Sequence, residues 1–100
     1  MVTEVTSFDA IRKGNVIVDF YTSTCGPCRA LNPVLEEISK EFSNIMVAKV
    51  EVTRNPDVSQ QFGVMSVPTV VFMKDAQIKH VSRGFSNKES FKSMVKEVYR

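Results

Sequence analysis

Cys25-Gly26-Pro27-Cys28 sets two thiols at positions i and i+3. On a helix that spacing puts both sulfurs on one side and within disulfide reach. A short apolar run, Val16-Ile17-Val18-Asp19-Phe20-Tyr21, precedes the pair, and an amphipathic segment follows it. A helix that opens on C-x-x-C aims unpaired backbone N–H groups and a partial positive charge at its first sulfur. That field favours thiolate over thiol, and thiolate is the reactive form. Cys25, at the helix entrance, is the candidate nucleophile. Cys28, one turn inside, is expected to be more buried and to act as the resolving thiol. Gly26 permits close backbone approach, and Pro27 lacks only an N–H that would have no helical partner. The same two residues are also ordinary helix-start chemistry, and both readings hold together.

These are the chain's only two cysteines. A disulfide stabilises most when it closes a long loop, and this one closes almost none. The pair is therefore badly placed as a staple and well placed for chemistry. A zinc site needs four ligands, and His80 is the only other soft candidate, so metal binding requires half a site shared across a dimer. His80 reads more simply as a surface residue. No metal and no bound cofactor is expected.

Other residues have chemical potential. Asp19 is a carboxylate within an apolar strand-like run; if buried, desolvation raises its pKa and makes it a proton acceptor near neutral pH. The alternative is a solvent-facing residue of a half-exposed strand. Lys49, in Val47-Ala48-Lys49-Val50, is placed similarly. The two can pair if their strands are neighbours; otherwise Lys49 snorkels to water. Arg29 either adds positive potential near the thiols or is simply solvated. Pro68 opens an apolar strand at the cost of a ladder hydrogen bond, and base rates favour a trans bond there. Gly84 lies where the last strand gives way to a helix, as a groove lining or an ordinary turn. The methionines and most phenylalanines read as core packing.

The elements that must position these residues follow from periodicity and caps. Val2–Val5 reads as a short strand. Ser7 caps a short helix to about Lys13, ended by Gly14-Asn15. Val16–Tyr21 is a strand covered on both faces. From Gly26 to Phe42, Ala30, Leu31, Val34, Leu35, Ile38 and Phe42 recur at helical spacing, and Pro33 is expected to bend that helix. Ile45–Val52 is a second buried strand. Asn55-Pro56-Asp57 starts a short helix through Phe62, with Gly63 ending it. Pro68–Lys74 and Gln77–Arg83 form a hairpin across Asp75-Ala76. Asn87 caps a last helix with Phe91, Met94, Val95 and Val98 on its apolar face. The order β-α-β-α-β-α-β-β-α predicts an α/β fold, with parallel pairing at the front and antiparallel strands at the end.

The chain has 100 residues, 43% hydrophobic and 24% charged, and a net charge of +2. That predicts one compact domain over residues 1–100 that folds without a staple. It gives no reason to expect nucleic acid or a membrane as partner. No signal peptide is visible at Met1-Val2-Thr3-Glu4, and no apolar run approaches spanning length. A reducing, cytoplasmic location is the default, and monomer the default state.

Taken in order and spacing, Val18-Asp19-Phe20, Cys25-Gly26-Pro27-Cys28-Arg29, Pro33, Lys49, Val67-Pro68-Thr69 and Gly84 resemble the thioredoxin family over nearly the whole chain. The resemblance implies a thioredoxin fold, a central mixed β-sheet flanked by helices. It implies a reversible Cys25–Cys28 disulfide and a first thiol with the family's pKa of ~7 rather than ~8.5. It implies a cis Pro68 beside the cysteines, with Val67 pairing its backbone to an extended substrate segment. Thr24, Thr69 and Gly84 would complete that substrate surface. Asp19 would lie buried behind Cys28 and assist its proton transfer, with Lys49 nearby.

The chain departs from the family where Thr24 and Tyr21 stand at positions usually held by tryptophan, and where Ala76 stands for a turn glycine. Thr53 and Arg54 occupy the neighbourhood of a frequent aspartate. The expected function is reduction of protein disulfides by dithiol exchange, with disulfide-containing proteins as substrates and a thioredoxin-reductase-type electron donor. An oxidant or isomerase dedicated to one partner, and a non-catalytic binding module, are the competing readings. Gly-Pro between the cysteines resembles the reducing end of the family, about −270 mV.

Overall fold

Val16, Ile17 and Val18 are β-branched and fully covered, which is why the strand that carries them becomes the centre of the molecule. The computed structural model describes residues 1–100. In chain order it has β1 (Val2–Glu4), a short 3-10 helix (Phe8–Ile11), β2 (Asn15–Tyr21), α1 (Gly26–Glu41), β3 (Met46–Glu51), α2 (Pro56–Gln61), β4 (Thr69–Lys74), β5 (Gln77–Arg83) and α3 (Lys88–Val98). The strands form one sheet in the order β1-β3-β2-β4-β5. β3 pairs parallel with both β1 and β2, while β4 pairs antiparallel with β2 and β5 with β4. The expected mixed sheet is present.

Alternation along β2 divides the core. Val16, Val18 and Phe20 face one side, where they pack with Ile11, Val50, Val58 and Val71 beneath the 3-10 helix and α2. Ile17 faces the other, packed with Leu31, Leu35 and Ile38 of α1 and Phe91 and Val95 of α3. Asp19 follows Ile17 by two residues and so points to the α1 side. On the outside, Lys88 and Lys92 of α3 bridge to Glu41 at 3.0 and 2.9 Å, tying the ends of α1 and α3.

Several boundaries differ from expectation. The first helix is one 3-10 turn of four residues, and Ser7 makes no side-chain cap bond. Asn55 stands at the start of α2 as expected, but without a side-chain cap bond; its amide donates to the Glu51 carbonyl at 2.9 Å. Asn87 does cap α3, accepting the Ser90 N–H at 2.9 Å. α1 runs through Pro33 as one element. The hairpin turn places Asp75 at φ 48° and Ala76 at φ 70°, the two positive angles that a two-residue turn requires. Its Asp75 side chain and backbone bond Gly14, at 2.9 Å each, fastening the turn to the entrance of β2.

Register then gathers the site. Phe20 pairs with Thr69, Thr69 pairs with Arg83, and Tyr21 pairs with Glu51. The segments after Tyr21, before Thr69 and after Arg83 therefore leave the sheet at the same end.

Candidate active site

Cys25 is the N-cap residue of α1, with an extended backbone at φ −91° and ψ 115°. Its Sγ accepts the Cys28 backbone N–H at 3.2 Å. A helix start thus directs an otherwise orphan donor at this sulfur, which favours negative charge on it when reduced. Cys25 and Cys28 are joined as a disulfide with Cα atoms 5.2 Å apart, inside the range that a disulfide spans without backbone movement. Cys25 is half-buried, while Cys28 is only 2% exposed. Cys28, Leu31, Leu35 and Ile38 form the buried inner face of α1. Ala30, expected on that face, is exposed.

Asp19 has no exposed surface, and neither carboxyl oxygen has a hydrogen-bond partner. Burial pushes its pKa up to about 7; the Lys49 charge pulls against this and the Glu4 charge adds to it. Lys49 is its neighbour in register across β2 and β3. Of the two readings, pairing with Asp19 or snorkelling, the ion pair does not form although the strands are neighbours. The Lys49 ammonium instead donates to Asn32 Oδ1 at 2.8 Å and stands 4.2 Å from the centroid of the Tyr21 ring. Tyr21 is fixed in turn: its hydroxyl donates to the Glu4 carboxylate, with oxygens at 2.8 and 2.9 Å. Burial and Glu4 push that phenol up to about 12, so it remains a neutral donor.

The third segment leaves the sheet at the same end as the first. The Val67–Pro68 peptide is cis, as the resemblance implies. Gly84, at φ 83°, donates its N–H to the Pro68 carbonyl at 2.9 Å and joins the two strand ends. Thr69 Oγ1 donates to the Ser66 carbonyl at 2.7 Å. The Val67 N–H and C=O make no hydrogen bond within the chain, so they are free to pair with another strand. Thr24 is exposed, and so is Arg29, whose guanidinium donates to the Ser23 carbonyl at 3.2 Å.

Of the methionines, all read as packing, Met1 and Met65 are not, and Phe85 is one phenylalanine outside the core. Met65 is 96% exposed and Phe85 49% exposed, so both present apolar surface beside Val67 and Gly84. Adjacency to the proline and glycine was the available signal. Asn32 was also missed; a polar residue four positions after Cys28 on an otherwise apolar helix face was its only mark. His80 is a surface residue against the Phe72 ring, edge-on at 5.4 Å.

The molecule has three cavities, of 230 to 340 Å³, and neither cysteine nor Val67, Pro68 or Gly84 lines any of them. Half-buried Cys25 therefore lies outside any cavity, at the sheet end where Val67 offers a free backbone donor and acceptor, which suits an extended polypeptide better than an enclosed small molecule.

Comparison with known proteins agrees with this geometry. The thioredoxin family model matches residues 1–97. The chain is 37% identical to a thioredoxin of Bacillus subtilis over 84 residues, 83% of this chain and 81% of that one. It is 36% identical to a thioredoxin of Listeria monocytogenes over 95 residues, 94% and 92% of the two chains. A thioredoxin of Chlamydia muridarum is 37% identical over 87 residues, 87% and 85%. A helix-capping thiol, a buried partner thiol and a family match over nearly the full length lead to one assignment: the chain belongs to the thioredoxin family and is a thiol–disulfide oxidoreductase that reduces protein disulfides.

Proposed function

We propose that Cys25 is the attacking thiolate and Cys28 the resolving thiol, with Asp19 as the proton acceptor for Cys28. The Cys25 thiolate attacks one sulfur of a substrate disulfide. That bond breaks, the other substrate sulfur leaves as thiolate, and a Cys25–substrate mixed disulfide forms. The Asp19 carboxylate takes the Cys28 S–H proton. The Cys28 sulfur then attacks Cys25 Sγ, the mixed disulfide breaks, and the second substrate thiolate departs. Two electrons have passed to the substrate, and Cys25–Cys28 is the new disulfide. The second attack is intramolecular, so proximity favours it strongly.

The observation that carries this reading is the asymmetry of the two thiols. Cys25 caps α1 with a backbone donor at its sulfur, while Cys28 is 2% exposed on the helix face that covers Asp19. An acceptor poised near pH 7 matches a proton transfer at neutral pH. Lys49 adds positive potential to that acceptor. Gly26 and Pro27 set the turn between the sulfurs. The substrate segment lies along Val67, pairing with its free backbone, between Thr24 on one side and Pro68 and Gly84 on the other; Thr69, 3% exposed with its hydroxyl on the Ser66 carbonyl, braces the turn instead of meeting the substrate. Residues 1–100 act as one domain and as a monomer, in a reducing cytoplasm. No bound cofactor takes part, and a separate thioredoxin-reductase-type donor restores the dithiol.

A trapping experiment tests the roles. Cys28→Ser accumulates a covalent substrate adduct on Cys25, identified by mass spectrometry after thiol blocking. An equal yield of adduct on Cys28 in Cys25→Ser would reverse the assignment.

A further inference from the structure

The Lys49 ammonium stands among carboxylates and bonds none of them. On the sheet face that α1 covers, the register aligns Glu4 of β1, Asp19 of β2 and Lys49 of β3, with Glu51 two residues further along β3. From α1, Glu36 lines the same small cavity as Lys49 and Asn32, 270 Å³ in volume. A cation so placed gains most by closing on an acid. The ion pairs in the structure are those of Arg12, Lys88, Lys92 and Arg100, and Lys49 is not among them. Its only hydrogen bond goes to a neutral amide oxygen, Asn32 Oδ1 at 2.8 Å, and its other contact is the Tyr21 ring. Two of the acids are already engaged: Glu4 accepts from Tyr21, and Glu51 accepts from Thr53 and Arg54. Of the two acids left, Glu36 is exposed to water, and Asp19 is the buried one without any partner.

We propose that Asn32 is a positioning residue for proton transfer from Cys28. Its amide oxygen, with the Tyr21 ring, holds the Lys49 ammonium off Asp19 and so keeps that carboxylate basic enough to take the proton. This rests on the reading of Asp19 as acceptor. On the face that α1 covers, the register sets Lys49 and Val70 beside Asp19, Glu4 beside Lys49, and Tyr21 and Glu51 two residues further along; α1 adds buried Cys28, and Asn32 and Glu36 at the Lys49 cavity. Lys49 is the one cation in that set, and Glu4 is already held by the Tyr21 hydroxyl. Without Asn32 the ammonium closes on Asp19. An opposite charge in contact lowers a carboxyl pKa by one unit or more, which is about tenfold in the ratio of ionised to protonated acid. A more acidic Asp19 is a poorer base, so the resolving step slows above neutral pH.

The test uses Asn32→Ala, a substitution that a helix accepts readily. The Asp19 carboxyl is followed by NMR across a pH series in the oxidised protein. The midpoint is expected to fall by about one pH unit. In the Lys49→Met background the same substitution is expected to leave the midpoint in place, a dependence that a purely structural role for Asn32 does not produce. A midpoint that stays or rises in Asn32→Ala overturns the proposal, as does an equal fall when Lys49 is absent. The acceptor reading is tested separately. Asp19→Asn should remove the pH dependence of mixed-disulfide resolution, and an unchanged profile would reject that reading whatever the NMR midpoint shows.

Discussion

Replacing Asp19 with asparagine should stabilise the oxidised protein above neutral pH. Asp19 is fully enclosed and without a hydrogen-bond partner, and burial raises its pKa from 3.8 to about 7. Between those values the folded state holds a proton that the unfolded state has released. Stability therefore falls as pH rises through this window and levels off above the folded value. At 1.36 kcal/mol per unit, the full shift corresponds to about 4 kcal/mol of lost stability above pH ~7. Asparagine keeps the shape and cannot ionise. Its buried amide lacks partners too, which costs about 1–3 kcal/mol at every pH. The net gain is then about 1–3 kcal/mol near pH 8, turning into a loss of about 0.5–2.5 kcal/mol near pH 4. Urea unfolding of both oxidised proteins at steps between those pH values measures the difference. Glu41 and Glu51 have lowered pKa values and act in the opposite sense, weakening the fold as acid is added. Both proteins retain them, so they cancel in the comparison. If the difference between the two proteins does not change with pH, the assignment of a proton to buried Asp19 is refuted.

Two further predictions concern the scaffold. Ala76 holds a left-handed φ of 70°, which costs an L-residue about 1 kcal/mol and glycine little. Ala76→Gly should therefore raise the urea midpoint, by the equivalent of about 0.5–1 kcal/mol, and a lower midpoint would contradict the account of this turn. The Tyr99 hydroxyl lies 3.0 Å from the Val16 carbonyl and 2.8 Å from the Met73 carbonyl, clamping the end of α3 to β2 and β4. Tyr99→Phe should cost about 1–2 kcal/mol by the same assay while leaving disulfide reduction intact; an unchanged midpoint would show that water replaces the clamp.

Much of the site was legible along the chain because its chemistry is local. The i, i+3 spacing of Cys25 and Cys28, with Gly26 and Pro27 between them, dictates a capped helix start with both sulfurs on one side. The structure adds the bond from the Cys28 amide to Cys25 Sγ. The long elements were likewise readable, since alternation in β2 and the 3.6-residue period of α1 and α3 belong to each segment alone. The family resemblance extended this to the cis bond at Pro68 and to buried Asp19. Short elements were less secure. Four residues after Ser7 cannot develop the bonds that separate an α-turn from a 3-10 turn. Met65 and Phe85 share the apolar character of their buried counterparts, and composition alone does not reveal that nothing covers them.

The order of residues by itself determined the redox couple, the strand and helix that carry it, and the turn glycines. Those follow from forces acting over a few positions: backbone sterics, capping and side-chain period. Packing of distant segments set where Lys49 sends its ammonium, left Val67 a free backbone edge, and brought Pro68 and Gly84 together. Each depends on residues far apart in sequence: Asn32 lies 17 positions from Lys49. Desolvation and charge depend on distance through space, and that distance does not exist until the sheet and α1 have packed.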